Sequence, residues 1–298
     1  MRHAPLLALV SLLVGCPIAP PRYPITDPEL ALRALRARDA RVRLLRAHGS
    51  ADHFGAQGRI RGEVWVFVRR PASLRVDTRA FGTTVSTVTL NDGRLALADF
   101  RGGRFFVGPA QPCVAAQLLG IPLETAEVVS MLSGGPPLID GSSRISWRDG
   151  RYEVEIRGDA GVSERLQLEI SGEERGAARP EAQRPRPVRA ELRDARGLRA
   201  VLEFGDYTAV NGVPFAQRVR VVMERDNVDL LVRYREITLD PELPEDEDIF
   251  EQSPPPSMQE VPVDCDANRL GPEEPADASA PADASAPADG RGGGPRGA

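Results

Sequence analysis

The 298-residue sequence predicts a mainly β, α+β chain: a curved antiparallel sheet or half-open β-barrel of about 11–12 strands, with a few helices covering or plugging its concave face. Three observations predict it. From Arg59 onward, apolar residues recur with a period of two in short segments. Hairpin chemistry, as in Asn91-Asp92-Gly93 and Arg101-Gly102-Gly103, joins consecutive segments. The stretch Val64-Trp65-Val66-Phe67-Val68 is apolar on both faces, so each side needs a cover. An antiparallel sheet of this size curls or closes instead of staying flat.

At the N-terminus, Arg2 and His3 give a basic start, Leu6 to Val14 a short apolar run, and Leu13-Val14-Gly15-Cys16 closes it. The run is too short to cross a bilayer, which takes roughly 20 residues. The pattern reads as a bacterial lipoprotein signal peptide over 1–15, cut before Cys16, which then carries a diacylglyceryl group and an N-acyl chain. At about 0.8 kcal/mol per buried CH₂, two or three chains anchor the protein essentially permanently. An ordinary secretory signal is the alternative; either one exports the chain. Pro17, rather than Asp, follows the cysteine, which favours the outer membrane, facing the periplasm, over the inner one.

Residues 16–26, with Pro17, Pro20, Pro21 and Pro24, read as a stiff tether of roughly 30 Å. Asp27 as N-cap and Pro28 at the first helical position start an amphipathic helix over about 28–47, with Leu32, Leu35, Val42 and Leu45 on one side. Its other face carries Arg33, Arg36, Arg38, Arg41, Arg43 and Arg46, either solvated or resting on anionic headgroups.

Strands are expected near 59–69, 72–79, 84–90, 94–100 and 104–108. A helical interlude over 113–133 follows, with Val114 to Leu119 ahead of Gly120-Ile121-Pro122-Leu123, and Glu124 to Leu132 ended by Gly134-Gly135-Pro136-Pro137. Strands resume near 143–148, 151–157, 162–171, 188–194, 198–205, 214–224 and 228–239, with a looser loop from Glu173 to Pro187. From Gln252 to Ala298 the chain is rich in Pro, Ala, Asp and Gly, and reads as a disordered tail that buries too little to offset its ordering entropy. That tail holds eight acids and three arginines, a net charge equal to the −5 of the whole chain, so the body is near neutral. A neutral body excludes bulk nucleic-acid binding. All 38 basic residues are Arg, fitting either headgroup recognition or a GC-rich genome.

Catalytic and metal-ligating patterns are missing, which predicts no enzyme, no cofactor and no metal centre. His48 and His53 are the only imidazoles after the signal segment, they lack zinc-ligand spacing, and they read as surface residues near a helix end. The acidic run Glu245-Asp246-Glu247-Asp248 reads as solvated, with weak Ca²⁺ binding as the alternative. Cys113 and Cys265 form a possible disulfide in an exported chain, closing a long loop worth roughly 4 to 5 kcal/mol, unless Cys113 is simply buried.

This order of elements, with Leu118-Leu119-Gly120-Ile121-Pro122-Leu123 at its centre and Gly205-Asp206-Tyr207-Thr208-Ala209-Val210-Asn211-Gly212-Val213-Pro214-Phe215 near its end, resembles the LolA/LolB-like lipoprotein carriers over about 27–251. It looks most like LolB and related lipoproteins. The resemblance implies a curved sheet around helices and an apolar cavity for acyl chains, with Val64, Trp65, Val66, Phe67, Leu74 and Val76 as its candidate lining. It also implies a loop whose apolar residue enters the membrane. The corresponding turn is Arg79-Ala80-Phe81-Gly82-Thr83, where Phe81 either inserts or packs inward. The expectation is a monomeric, lipid-anchored carrier of acyl chains or lipoproteins at the outer membrane; the alternative is an envelope scaffold or sensor that holds a protein partner.

Overall fold

The computed structural model describes residues 18–55, 58–242 and 248–266. Cys16 with the signal segment, Glu245-Asp246-Glu247 of the acidic run and the alanine-rich repeat from Ala276 lie outside the described residues. The chain divides into one unit ending at Asp264 and a second beginning at Cys265; the whole sheet belongs to the first.

Helix α1 (Pro28–Ala40) leads into β1 (Leu44–Gly55), β2 (Gly58–Arg69), β3 (Ser73–Ala80), β4 (Thr83–Asn91), β5 (Arg94–Asp99) and β6 (Arg104–Pro109). Helices α2 (Pro112–Leu119) and α3 (Thr125–Leu132) follow. The chain continues through β7 (Ser142–Arg148), β8 (Arg151–Arg157), β9 (Ser163–Glu169), a short α4 (Gly172–Arg175), β10 (Arg186–Asp194), β11 (Gly197–Val210), β12 (Val213–Met223), β13 (Val228–Leu239) and β14 (Gln259–Pro262). All 14 strands form one curved, unclosed sheet in the order β14-β6-β5-β4-β3-β2-β1-β13-β12-β11-β10-β9-β8-β7. Every pairing is antiparallel except β14 on β6. The predicted class, a large curved antiparallel sheet with few helices, is the one observed.

Sequence and structure part at four places. The first helix stops at Ala40, where Arg41 N–H and Val42 N–H turn back to Arg38 and Asp39, and residues 44–55 form a strand instead of the helix expected to 47. Val42 and Leu45 satisfy helical spacing, but Leu45, Ala47 and Gly49 are buried in alternation, which is the period that wins. Second, His48 and His53 lie within β1 and do not follow the end of the first helix. Third, the proline-rich stretch is not a free tether from Ile18 onward. Trp147 Nε1 donates to Ile18 O at 3.0 Å, Gln183 Nε2 to Tyr23 O at 2.6 Å, and Ile25 N–H to Tyr152 Oη at 3.0 Å. Fourth, order continues past Gln252: its amide donates to Thr89 Oγ1 at 3.0 Å, and β14 pairs with β6 further along.

Strand β1 joins the two halves of the sheet, pairing with β2 on one side and β13 on the other. At the bulge between His48 and Gly49 the backbones close in, and a Cβ on Gly49 would stand 2.0 Å from the Arg233 carbonyl oxygen. Only glycine fits there. Val64, Val66, Val68, Leu74, Val88 and Leu90 form the buried face of β2 to β4; α3 packs over β2 and β3 and α2 over β5 and β6, and Val114, Val129 and Met131 of these helices are fully enclosed. Each such side chain contributes about 1.5–3 kcal/mol relative to exposure. A capping box between Glu124 and Glu127 starts α3, and Gly120 at φ +69° ends α2, so the predicted helix pair folds as two separate helices.

Because neighbouring strands are antiparallel, alternate turns share an edge of the sheet. The β1–β2, β3–β4 and β5–β6 turns lie along one edge, and the β7–β8 and β11–β12 turns along the other. Ile18 is fixed at this second edge, since a Cβ on Gly150 of the β7–β8 turn would meet its side chain at 2.9 Å.

Candidate functional site

Between the concave face of the sheet and the helix pair lies a cavity of about 490 Å³. Strands β1 to β6 and β13 supply its floor; Leu118, Leu119 and Ile121 at the end of α2, and Val128, Met131 and Leu132 of α3, supply its roof. Alternation decides which residues enter. Val64, Val66, Leu74 and Val76 line the cavity, all on one face by register, since Val66 pairs with Val76 and Val68 with Leu74.

Trp65 and Phe67 face the other way. Trp65 stacks on His48 with ring centroids 4.3 Å apart, and His48 Nε2 lies 2.8 Å from Glu63 Oε1. Phe67 is flanked in register by Arg46 and Arg75, whose stems offer apolar surface. The doubly apolar strand is thus covered by helices on one side and by cross-strand side chains on the other.

Sequence reasoning misses several lining residues. Ala51 and His53 belong to the unrecognised strand β1, and Leu230 and Val232 of β13 reach the cavity only because β1 pairs with that strand. Their own period-two pattern was visible; the partner was not. His53 Nε2 is buried with no hydrogen-bond partner among the described residues, and burial lowers the pKa of its imidazole, favouring the neutral form. It is the one ring nitrogen in an otherwise largely apolar wall, with the C-cap Gly120 of α2 close to it.

The turn edge above this cavity is unusually apolar. Phe54, Ile60, Phe81 and Phe100 are all exposed there, and Ile60 also lines the cavity. Phe81 has a relative exposure of 104 % and a φ of +51°, with Gly82 after it at +79°. Three other two-residue hairpins put Asp92-Gly93, Asp149-Gly150 and Asn211-Gly212 in these positions. Asp and Asn tolerate the left-handed region; an aromatic side chain there is strained and fully wet. Phe81 does not pack inward.

Cys113, near the start of α2, and Cys265 are each disulfide-bonded. No group of three or more His, Cys, Asp or Glu among the described residues could hold a metal ion, and no described helix is long and apolar enough to cross a membrane.

No family model and no curated protein matches the sequence. Solved structures do. A DUF1329 family protein from Desulfovibrio piger matches with a TM-score of 0.53 at 11% identity, over 75% of this chain and 95% of that one. A LolA superfamily protein from Nitrosomonas europaea matches at 0.48 and 12% identity over 74% of this chain and 97% of that one. A putative outer membrane lipoprotein-sorting protein domain from Vibrio parahaemolyticus gives 0.45 and 12% identity, covering 74% and 96%. At such identities the likeness is one of fold: this chain is similar to a DUF1329 protein in the arrangement of its backbone, and LolA superfamily structures stand among its matches.

Proposed function

We propose that the chain is an exported lipoprotein, anchored through Cys16 to the outer membrane and facing the periplasm, whose concave cavity holds acyl chains and hands acylated cargo on at a lipid surface. The observation that carries this reading is the cavity itself: a volume of about 490 Å³ walled mainly by valines, leucines and isoleucines, with Asp99 and Arg104 as its charged lining residues, and roofed by two short helices. That size falls within the usual range for small-ligand sites, roughly 300–1,000 Å³. Apolar lining without a catalytic constellation favours holding a chain over reacting with it. The exposed edge supports the delivery step, because an aromatic at a strained, solvent-facing turn costs stability that burial in lipid would return. In this reading Phe81 is the residue that enters lipid, and the same reading joins Cys113 to Cys265.

Uptake of a dansyl-labelled fatty acid by the folded protein tests the cavity. Saturable, roughly one-to-one binding is expected, with at least about tenfold loss in Val76→Trp, which fills the chamber. Binding unaffected by that substitution would remove the proposal. For the bridge, reduction of the purified protein should add the mass of two hydrogens; an unchanged mass would rule it out.

A further inference from the structure

A second cavity, of about 440 Å³, lies between α1, the segment around Glu181 to Pro187 and the β11–β12 turn. It shares no lining residue with the acyl cavity. Its wall on α1 is one helical face, running through Leu30, Ala34 and Ala37 as well as Arg33, Arg38 and Arg41. The floor is apolar, with Ile25, Leu35, Pro185, Pro187 and Val213. Around it stand five arginines, Arg33, Arg38, Arg41, Arg184 and Arg186, against a single lining carboxylate, Glu181.

These arginines are unequally committed. Arg38 has a structural duty: it donates to Ser133 O at 2.7 Å and Pro214 O at 3.3 Å, and pairs with Asp39 at 2.7 Å. Arg33 has an exposed pair with Asp27 at 3.5 Å, and Arg186 a half-buried one with Glu169 at 3.4 Å. The Nε of Arg186 is buried and unbonded among the described residues. Neither Arg41 nor Arg184 has a carboxylate partner among those residues; they donate to the backbone at Asn211 O, 2.9 Å, and Glu181 O, 2.7 Å. Gathering guanidiniums around one groove with so few acids costs Coulomb energy that a bound anion would offset.

Location narrows the anion. The groove lies at the sheet edge where the N-terminal segment is docked, since Ile25 forms part of its wall and Gln183, also in the lining, holds Tyr23 O. Further upstream Ile18 is fixed, with only Pro17 between it and Cys16. Phosphate suits the planar donor fork of arginine, and the apolar floor suits the part of a lipid next to its phosphate.

We infer that this groove binds the headgroup of an anionic phospholipid, its phosphate on Arg33, Arg41, Arg184 and Arg186 and its first carbons on the apolar floor. The inference does not rest on what fills the acyl cavity. It is tested by calorimetry on the full chain carrying Cys16→Ser, which has no acyl group of its own, titrated with monomeric dihexanoyl phosphatidylglycerol. Saturable binding that weakens with added salt is expected, with at least about tenfold loss in Arg33→Gln/Arg184→Gln. Both side chains are exposed, and near-UV circular dichroism verifies that the variant keeps its fold. Equal affinity in that variant overturns the inference, as does equal binding of dihexanoyl phosphatidylcholine. Inorganic phosphate binding as tightly would make this a free-anion site and overturn the lipid assignment. Loss of binding in Val76→Trp but not in the arginine variant would put the lipid in the acyl cavity, overturning the groove while leaving the carrier proposal intact.

Discussion

Phe81 occupies a backbone position that Asp or Asn holds in three other two-residue hairpins, and its ring is wholly in solvent. A left-handed conformation costs a residue of this kind about 1–2 kcal/mol. Phe81→Asn should therefore raise stability by about 1 kcal/mol in denaturant unfolding while removing the attachment of the Cys16→Ser protein to uncharged phosphatidylcholine vesicles; a variant that still attaches to them would take Phe81 out of the delivery step. Glu164 shows a second residue-scale tension. It is 1 % exposed, its Oε2 accepts from Ile139 N–H at 3.0 Å, and burial pushes its pKa up from 4.5 to about 7. A raised carboxyl pKa means that the protonated form is the one the fold favours. Its stability is fully present below pH 4.5 and is lost as pH rises to about 7. Glu164→Gln should match the parent at pH 4 and exceed it by about 2–3 kcal/mol at pH 8, read from urea midpoints at the two pH values. Equal midpoints at pH 8 would show that the carboxylate is accommodated after all.

At the scale of elements, the meander from residue 58 onward was legible because its strands alternate and its turns carry Asp-Gly or Asn-Gly. Strand β1 was not. Arg41, Arg43 and Arg46 among Val42, Leu44 and Leu45 extend a helical pattern, and the break comes from backbone bonds at Arg41 and Val42 that no periodicity displays. That one misreading hid His53 and the whole β13 side of the cavity, whereas Val64, Val66, Leu74 and Val76 were reachable from β2 and β3 alone. The sheet's period also decides against Trp65 and Phe67, which a list of apolar residues does not separate from their neighbours. Strand β14 was illegible for another reason: Gln259-Glu260-Val261-Pro262 has little β character and is a strand only because it covers the edge of β6. Truncation after Asp266 should leave the thermal midpoint unchanged, whereas truncation after Glu251 should lower it by several degrees, beyond the loss that Cys265→Ser alone brings, since it removes the Gln252 bonds and uncovers β6. Equal midpoints would mean that β14 adds nothing to the sheet.

For the whole molecule, the arrangement of ends matters more than any tether. Ile18 is docked at one edge of the sheet, while Phe54, Ile60, Phe81 and Phe100 line the other, a strand length of roughly 25–40 Å away. A chain anchored at Cys16 would thus turn its apolar edge, and the cavity beside Ile60, away from the anchoring leaflet. Anchored in one set of vesicles, it should capture a second, differently labelled set, and Phe81→Asn should abolish that capture; capture that survives the substitution would show that the edge is not the contact. The central claim remains that the cavity holds acyl chains. Native mass spectrometry of the full-length protein extracted from its own membrane tests it most directly: the account predicts a bound acyl-bearing species in the parent that is lost in Val76→Trp, and a ligand-free spectrum of the folded parent would contradict it.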